Sequence, residues 1–231
     1  MAIARDTTGT KANNGNANPV TYSFNNAGGN FSVLGLFYDK NATITSVTYA
    51  GNTATVASTT TMTGWVYKLS IVYIESSATG TNNWVVNFSG STAGAVCITQ
   101  AQSYTGVPSS SAVDSTNTNY ITTTGSQSQA LSLTPTTSTG WMVGYCVSGN
   151  SGTLTAGTNT SIISGGSIQD ALFDTFGTIG SGSQTLNLNW SSLSGGGEGA
   201  AMAGFSFKSA IAAISPFNKF PKQAVNRAST Y

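Results

Sequence analysis

The run WVYKLSIVYIE, residues 65–75, is the longest stretch of the chain in which bulky side chains return at every second position. Trp65, Tyr67, Leu69, Ile71 and Tyr73 fall on one face of an extended backbone, opposed by Val66, Lys68, Ser70 and Val72. Successive side chains of a strand point to opposite faces, so this period of two predicts a core strand with a half-solvated back. The same period recurs on either side. Val20, Tyr22 and Phe24 alternate with Thr21 and Ser23, and ITSVTYAG (44–51) ends in a glycine turn. FSVLGLFY (31–38) is apolar on both faces, as a central strand should be. Trp84, Val86 and Phe88 alternate with Val85, Asn87 and Ser89, ahead of a small-residue strand that runs to Tyr104.

The second half repeats the plan in QALSLTP (129–135), WMVGYCVSG (141–149), TLTAG (153–157), TLNLNW (185–190) and AAMAGFSFK (200–208). Between the halves, residues 108–128 are poor in apolar side chains and read as a long surface connection or edge strands. An internal echo pairs residues 84–104 with 185–207: an alternating strand, a Gly/Ser loop, then a small-residue strand closing on an aromatic. Many short strands with frequent turns and no long amphipathic helix predict an all-β fold, an antiparallel β-sandwich that is jelly-roll-like. Its expected organisation is an N-terminal arm (1–19), a sandwich domain (20–208) and a C-terminal arm (209–231).

Ser and Thr make up 67 of the 231 residues, but 39% of the chain is apolar and periodically placed, which distinguishes it from a disordered polar chain. Eight basic against seven acidic residues give a net charge of +1, so no whole-molecule field draws it to nucleic acid or an anionic membrane, and neither is expected as a partner. Sparse charge also leaves sheet edges weakly protected against pairing with another chain, which favours a protein made to assemble. Cys97 and Cys146 sit in apolar strand-like runs and read as small buried residues, although their spacing leaves a disulfide open. The first 19 residues carry no apolar leader segment, and synthesis in the cytoplasm is expected.

Chemistry-bearing residues are few. With no histidine, Ser/His and Cys/His catalysis in its usual form is excluded, and two cysteines are too few for a thiolate zinc site. The glycine-rich loops lack the lysine of a phosphate cradle. No cofactor, metal or catalytic residue is therefore expected. Of the seven acids, Glu75 and Glu198 are the least implausible pair for a glycoside hydrolase, while Asp170 and Asp174 could offer oxygens to calcium but lack the loop pattern for it. Trp65, Trp84, Trp141 and Trp190 share strand faces with core residues, which leaves Tyr38, Tyr49 and Tyr120 as candidate carbohydrate contacts. Lys208 and the tail beyond it hold half of the basic residues of the chain, with two prolines and three aromatics. Lys208, Phe217, Lys219, Phe220, Lys222 and Arg227 are the expected partner contacts.

The order Val47 to Gly51, Ile71 to Glu75, Gly80 and Thr81, Val85 to Gly90, then Tyr104 to Val107 resembles a jelly-roll-like domain of tailed-bacteriophage and prophage virion structural proteins. That family shows a VTYGG-type turn, an aliphatic strand before a GT turn, a VTV-type strand with SG, and a closing S-x-x-GV. The proline that usually precedes the GT turn is absent, and the basic tail is not part of the pattern. The resemblance covers roughly residues 20–107, with fainter agreement to 208. It implies a non-enzymatic virion component, as capsid decoration, head fibre or tail-associated subunit, assembling through its sandwich surface and terminal arms with other virion proteins or copies of itself. The alternatives are a carbohydrate-binding module or adhesin for a cell-surface glycan and, third, a glycoside hydrolase.

Overall fold

The computed structural model describes residues 2–15, 17–90, 98–148, 153–167, 170–193 and 199–210, and every regular element among them is a strand. Among the described residues no helix is long and apolar enough to cross a membrane. The first half contains β1 (Ala4–Thr8), β2 (Ala12–Asn13), β3 (Val20–Asn26), β4 (Phe31–Asp39), β5 (Thr43–Tyr49), β6 (Asn52–Thr53), β7 (Thr55–Thr61), β8 (Tyr67–Glu75), β9 (Gly80–Ser89) and β10 (Ile98–Thr105). The second contains β11 (Val113–Ile121), β12 (Gly125–Leu133), β13 (Trp141–Ser148), β14 (Leu154–Ala156), β15 (Ser161–Ser167), β16 (Asp170–Asp174), β17 (Gln184–Leu193) and β18 (Ala200–Phe207).

These strands form four antiparallel sheets. An outer sheet, β3-β9-β5-β6, covers one face of an inner sheet, β1-β10-β4-β8-β7. The second half repeats this order without counterparts of β2 and β6, with an outer sheet β12-β17-β14 on an inner sheet β11-β18-β13-β16-β15. Each inner sheet sets its first strand beside its last, and each outer sheet sets its second beside the next to last, which is the strand order of a jelly roll. The molecule is thus two jelly rolls of one topology in tandem. The internal echo falls on β9–β10 and β17–β18, which hold equivalent places in the two halves.

The two inner sheets pack face to face, giving four layers and three apolar clusters. Every residue of β4 and of β13 is buried because each strand has a core on both sides. In β4, Leu34, Leu36 and Tyr38 face the outer sheet, whereas Phe31, Val33 and Phe37 face the other jelly roll. There they meet Trp141, Val143, Tyr145 and Val147 of β13 and Phe205 and Phe207 of β18. Among the described residues this middle cluster is the largest of the three, with 19 buried members against 16 and 13. Each large side chain buried there contributes roughly 1.5–3 kcal/mol, so the seam between the halves binds as strongly as the core within either.

Several local expectations change. β8 has no solvated back, since Val72 and Ile74 lie in one core while Leu69 and Ile71 lie in another. The residues before Pro19, expected as an arm, form β1 and β2 against β10. Segment 108–128 supplies two edge strands, β11 and β12, as its polarity allowed. Cys146 is a free thiol inside the second sandwich, and burial raises its pKa far above the ordinary thiol range; Cys97 lies outside the described residues.

Gly35 sets how closely the inner sheets approach. A Cβ there would lie 2.5 Å from the root of the Tyr145 ring, whose hydroxyl is tied to Asp170 and cannot swing away. Gly35→Ala is therefore expected to destabilise the fold by about 1–3 kcal/mol through overpacking. Urea unfolding should show a lower midpoint in one transition for both halves, with the slope unchanged.

Candidate functional site

The seam between the jelly rolls gathers the most strongly engaged polar side chains. Asp170 and Asp174 open and close β16, and both are buried. Each receives a cation from the N-terminal strands and a phenol from the core. Arg5 of β1 forks onto Asp174, its Nε donating to Oδ2 at 2.8 Å and its Nη2 pairing with Oδ1, while the Tyr104 hydroxyl donates to Oδ2 at 3.0 Å. Lys11 pairs with Asp170, whose Oδ2 accepts from the Tyr145 hydroxyl at 2.8 Å. Burial, together with the charge and hydrogen bond of Asp174, holds the Tyr104 phenol well above its ordinary range, with Arg5 acting in the opposite sense. These acids are satisfied by protein groups rather than arranged as a calcium loop. Among the described residues no group of three or more metal-ligating side chains comes together.

The other described acids hold backbone. Glu75, expected as a hydrolase candidate, accepts from the amides of Ala112 at 2.6 Å and Ser111 at 3.0 Å, and so fixes the connection between the two jelly rolls. Asp39 accepts from the Asn41 amide at 2.6 Å. Asp6 accepts from the amides of Gly28 and Gly29 and the hydroxyls of Thr7 and Ser103. Asp114 does the same for the amides of Thr136 and Thr137 and the Thr136 hydroxyl. Burial works against charge at Asp6 and Asp114, but these hydrogen bonds outweigh it and hold both carboxyls below their ordinary value. Glu198 lies outside the described residues.

The expected carbohydrate contacts move inward. Tyr38 and Tyr49 are buried in the first sandwich against Phe88 and Trp84, because β4 and β5 turn those positions toward the core and away from the loops beside them. Tyr120 is half-buried and its hydroxyl accepts from the Gly64 amide at 3.1 Å. Trp84, Trp141 and Trp190 are core residues, and Trp65 packs against the middle cluster. Among the described residues, the exposed large aromatic is Phe176, 64% exposed just after β16. Nothing in the sequence marked it, since DALFDTF draws notice only for its two acids.

Of the expected partner contacts, Lys208 is described; Phe217, Lys219, Phe220, Lys222 and Arg227 lie beyond the described residues. The Lys208 Nζ stands 3.9 Å from Asp114, and its amide donates to Ala112 O at 2.9 Å. Beside it opens a groove of about 1030 Å³ at the join of the two halves, walled by Val107, Pro108, Ser109–Ser111 and Thr136–Thr139. Ala210, the last described residue, lines this groove and donates its amide to Gly106 O at 2.8 Å. No family model, curated protein or solved structure matches the chain.

Two measurements check this wiring. Asp174→Asn is expected to lose on the order of 2 kcal/mol in urea unfolding, below the full cost of breaking a buried pair because Arg5 is part-exposed and can rehydrate. The depressed carboxyls of Asp6 and Asp114 contribute stability that is complete above the unfolded value near ~3.9 and is lost as pH falls through their lower folded values. The urea midpoint should therefore fall below about pH 4, and the Asp6→Asn, Asp114→Asn double variant should start lower at neutral pH and fall less on acidification.

Proposed function

We propose that this chain is a non-enzymatic structural subunit of a tailed-phage virion, attached through its C-terminal segment to other virion proteins or to its own copies. The observation that carries the reading is the use made of the acids. Six of the seven are described, and each is bound to a backbone amide, a hydroxyl or a cation of the fold. Charge in this molecule holds strands and connections in place. Two jelly rolls fused over a shared apolar seam make a stiff block, and rigidity of this kind suits a particle component better than it suits a hinged catalyst. The family resemblance of residues 20–107 supports the same reading, with decoration, head-fibre and tail-associated positions all compatible.

The attachment point follows from chain geometry. The N-terminal residues are built into the first inner sheet, and the proposed arm is the segment that follows Ala210, a residue lining the groove beside Lys208. Twenty-one residues follow Ala210, enough for an extended reach of ~70 Å, and they carry Phe217, Phe220, Lys219, Lys222 and Arg227.

Deleting residues 211–231 retains the Ala210 contact to Gly106. The truncated protein is expected to keep its urea midpoint and its strand-type circular dichroism while disappearing from purified particles assembled in its presence. Incorporation at the level of the full chain would remove the proposal.

A further inference from the structure

Among the described residues, β3 is the long edge strand that the fold leaves unguarded. It runs for seven residues, VTYSFNN, with an unbroken register against β9 and neither a charged side chain nor an internal proline. Its neighbours fix which of its backbone groups face outward. The Phe88 amide donates to Asn18 Oδ1 at 3.1 Å and Asn18 Nδ2 donates to Phe88 O at 2.8 Å, so Phe88, and with it Val86 and Trp84, turns its backbone groups toward the β3 side. The Ala50 amide donates to Asn83 O at 3.1 Å, so Asn83 turns the other way, toward β5. Tyr22, opposite Trp84, therefore uses its N–H and C=O inside the ladder, whereas Ser23, opposite Asn83, presents both at the free edge. Thr21 and Asn25 share its parity. Among the described residues these outward backbone groups have no hydrogen-bond partner.

The second jelly roll has a guarded edge at the same place. There β12 holds the position of β3, and Asn117 and Asn119 of β11 donate to its Ser132 and Ala130 carbonyls. Among the described residues β1, the counterpart of β11, sends no such amide to β3. A cleft of about 270 Å³ instead lies between Thr7–Thr10 and the edge at Ser23 and Asn25.

The occupant that fits this edge is the same strand of a second copy. With Ser23 set opposite Ser23 and Thr21 opposite Asn25, every outward N–H and C=O of one strand meets its complement on the other. The strand ends disfavour the neighbouring registers. A shift of two residues one way sets Asn25 opposite Pro19, which has no N–H; a shift the other way sets Thr21 opposite Ala27, whose amide already donates to Thr7 Oγ1 at 3.1 Å. On the exposed face the favoured register places Ser beside Ser and Thr beside Asn, neutral pairs that exchange hydrogen bonds and bring no like charges together.

We propose that β3 pairs antiparallel with β3 of a second copy about a two-fold axis at Ser23, so that the outer sheet of the first jelly roll continues through two molecules. The contact uses no residue of the C-terminal segment, so it stands or falls apart from the attachment proposal.

The test is sedimentation of the full-length protein over a concentration series, with hydrogen–deuterium exchange read at low and high concentration. One strand makes a small contact, so a weak dimer is expected, populated at on the order of 100 μM. The amides of Thr21, Ser23 and Asn25 should exchange several-fold more slowly in the dimer, and deletion of residues 211–231 should leave it unchanged. Ser23→Lys should weaken the dimer at least tenfold, because like charges then face each other at the axis, while the exposed position preserves the urea midpoint. Thr21→Lys combined with Asn25→Asp should tighten it several-fold at low salt, because this register sets each new cation opposite a new anion. The proposal is overturned by a monomer at every concentration up to about 1 mM, by protection elsewhere on the molecule, or by a dimer indifferent to Ser23→Lys or to the charge pair. A dimer lost on deleting residues 211–231 would also overturn it, since that segment would then be making the contact.

Discussion

Burial of the two inner sheets on both faces is the constraint from which the rest of the structure follows. A sheet with one wet face can alternate apolar and polar residues, but β4 and β13 have cores on both sides and are apolar except at Ser32, Asp39 and Ser148. The inner sheets still bury polar side chains such as Ser32 and Gln100, each hydrogen-bonded, while the charged Asp170 and Asp174 stand at the two ends of β16, at the rim of the seam. Charges at that rim must be paired, since an isolated buried carboxylate is prohibitively costly to desolvate. Arg5 and Lys11 meet this requirement for Asp174 and Asp170, Arg5 from β1 and Lys11 from the residue just before β2. The apolar seam supplies most of the binding energy between the halves, whereas the ion pairs fix how the halves sit. Buried pairs are weak as net stabilisers but costly to break, which suits them to setting geometry.

The two jelly rolls share a topology but not a surface. The first outer sheet closes with β6, which has no counterpart in the second, where β14 is only three residues long. Beside that shorter sheet lie the loops carrying Asn159 and Phe176, and a polar pocket occupies the space between them. Duplication thus supplies a scaffold from one half that buttresses irregular loops on the other. Phe176 shows the dependence directly, because Arg5, which stacks on its ring, belongs to the opposite half.

Much of the fold was legible because period-two patterns are local. The strands around Val20, Phe31, Trp84, Trp141 and Thr185 were readable from alternation alone, and the echo between residues 84–104 and 185–207 anticipated the equivalence of β9–β10 with β17–β18. What escaped were elements whose meaning depends on distant partners. β7, of sequence TVASTTT, is too polar to announce itself and exists because β8 offers it a ladder. DALFD looks like a loop with two acids until Arg5 and Lys11 arrive from more than 150 residues away. The chosen sugar-contact tyrosines failed for a related reason. Tyr38 and Tyr49 lie close to turns in sequence, but parity, not proximity to a turn, decides which face a strand residue takes.

Sparse charge raised the expectation that sheet edges are weakly protected against pairing with other chains, and the edges carry guards of other kinds. Natural proteins usually guard edges with lysine or proline, with bulges, or by keeping the strand short. Here β1, β7, β11, β12 and β15 each carry a register shift in their one ladder, and β6 and β14 are only two and three residues long. The outward carbonyls of β12 are further covered by amides: Asn117 donates to Ser132 O at 2.7 Å and Asn119 to Ala130 O at 2.5 Å. Bulges and asparagines perform the task that charges perform elsewhere, and a bulged edge is a poor template for continuing a sheet into a neighbour. β3 is the edge strand of length with an unbroken register. A molecule guarded in this way along most of its edges is poorly suited to extending its sheets into a neighbour except through β3.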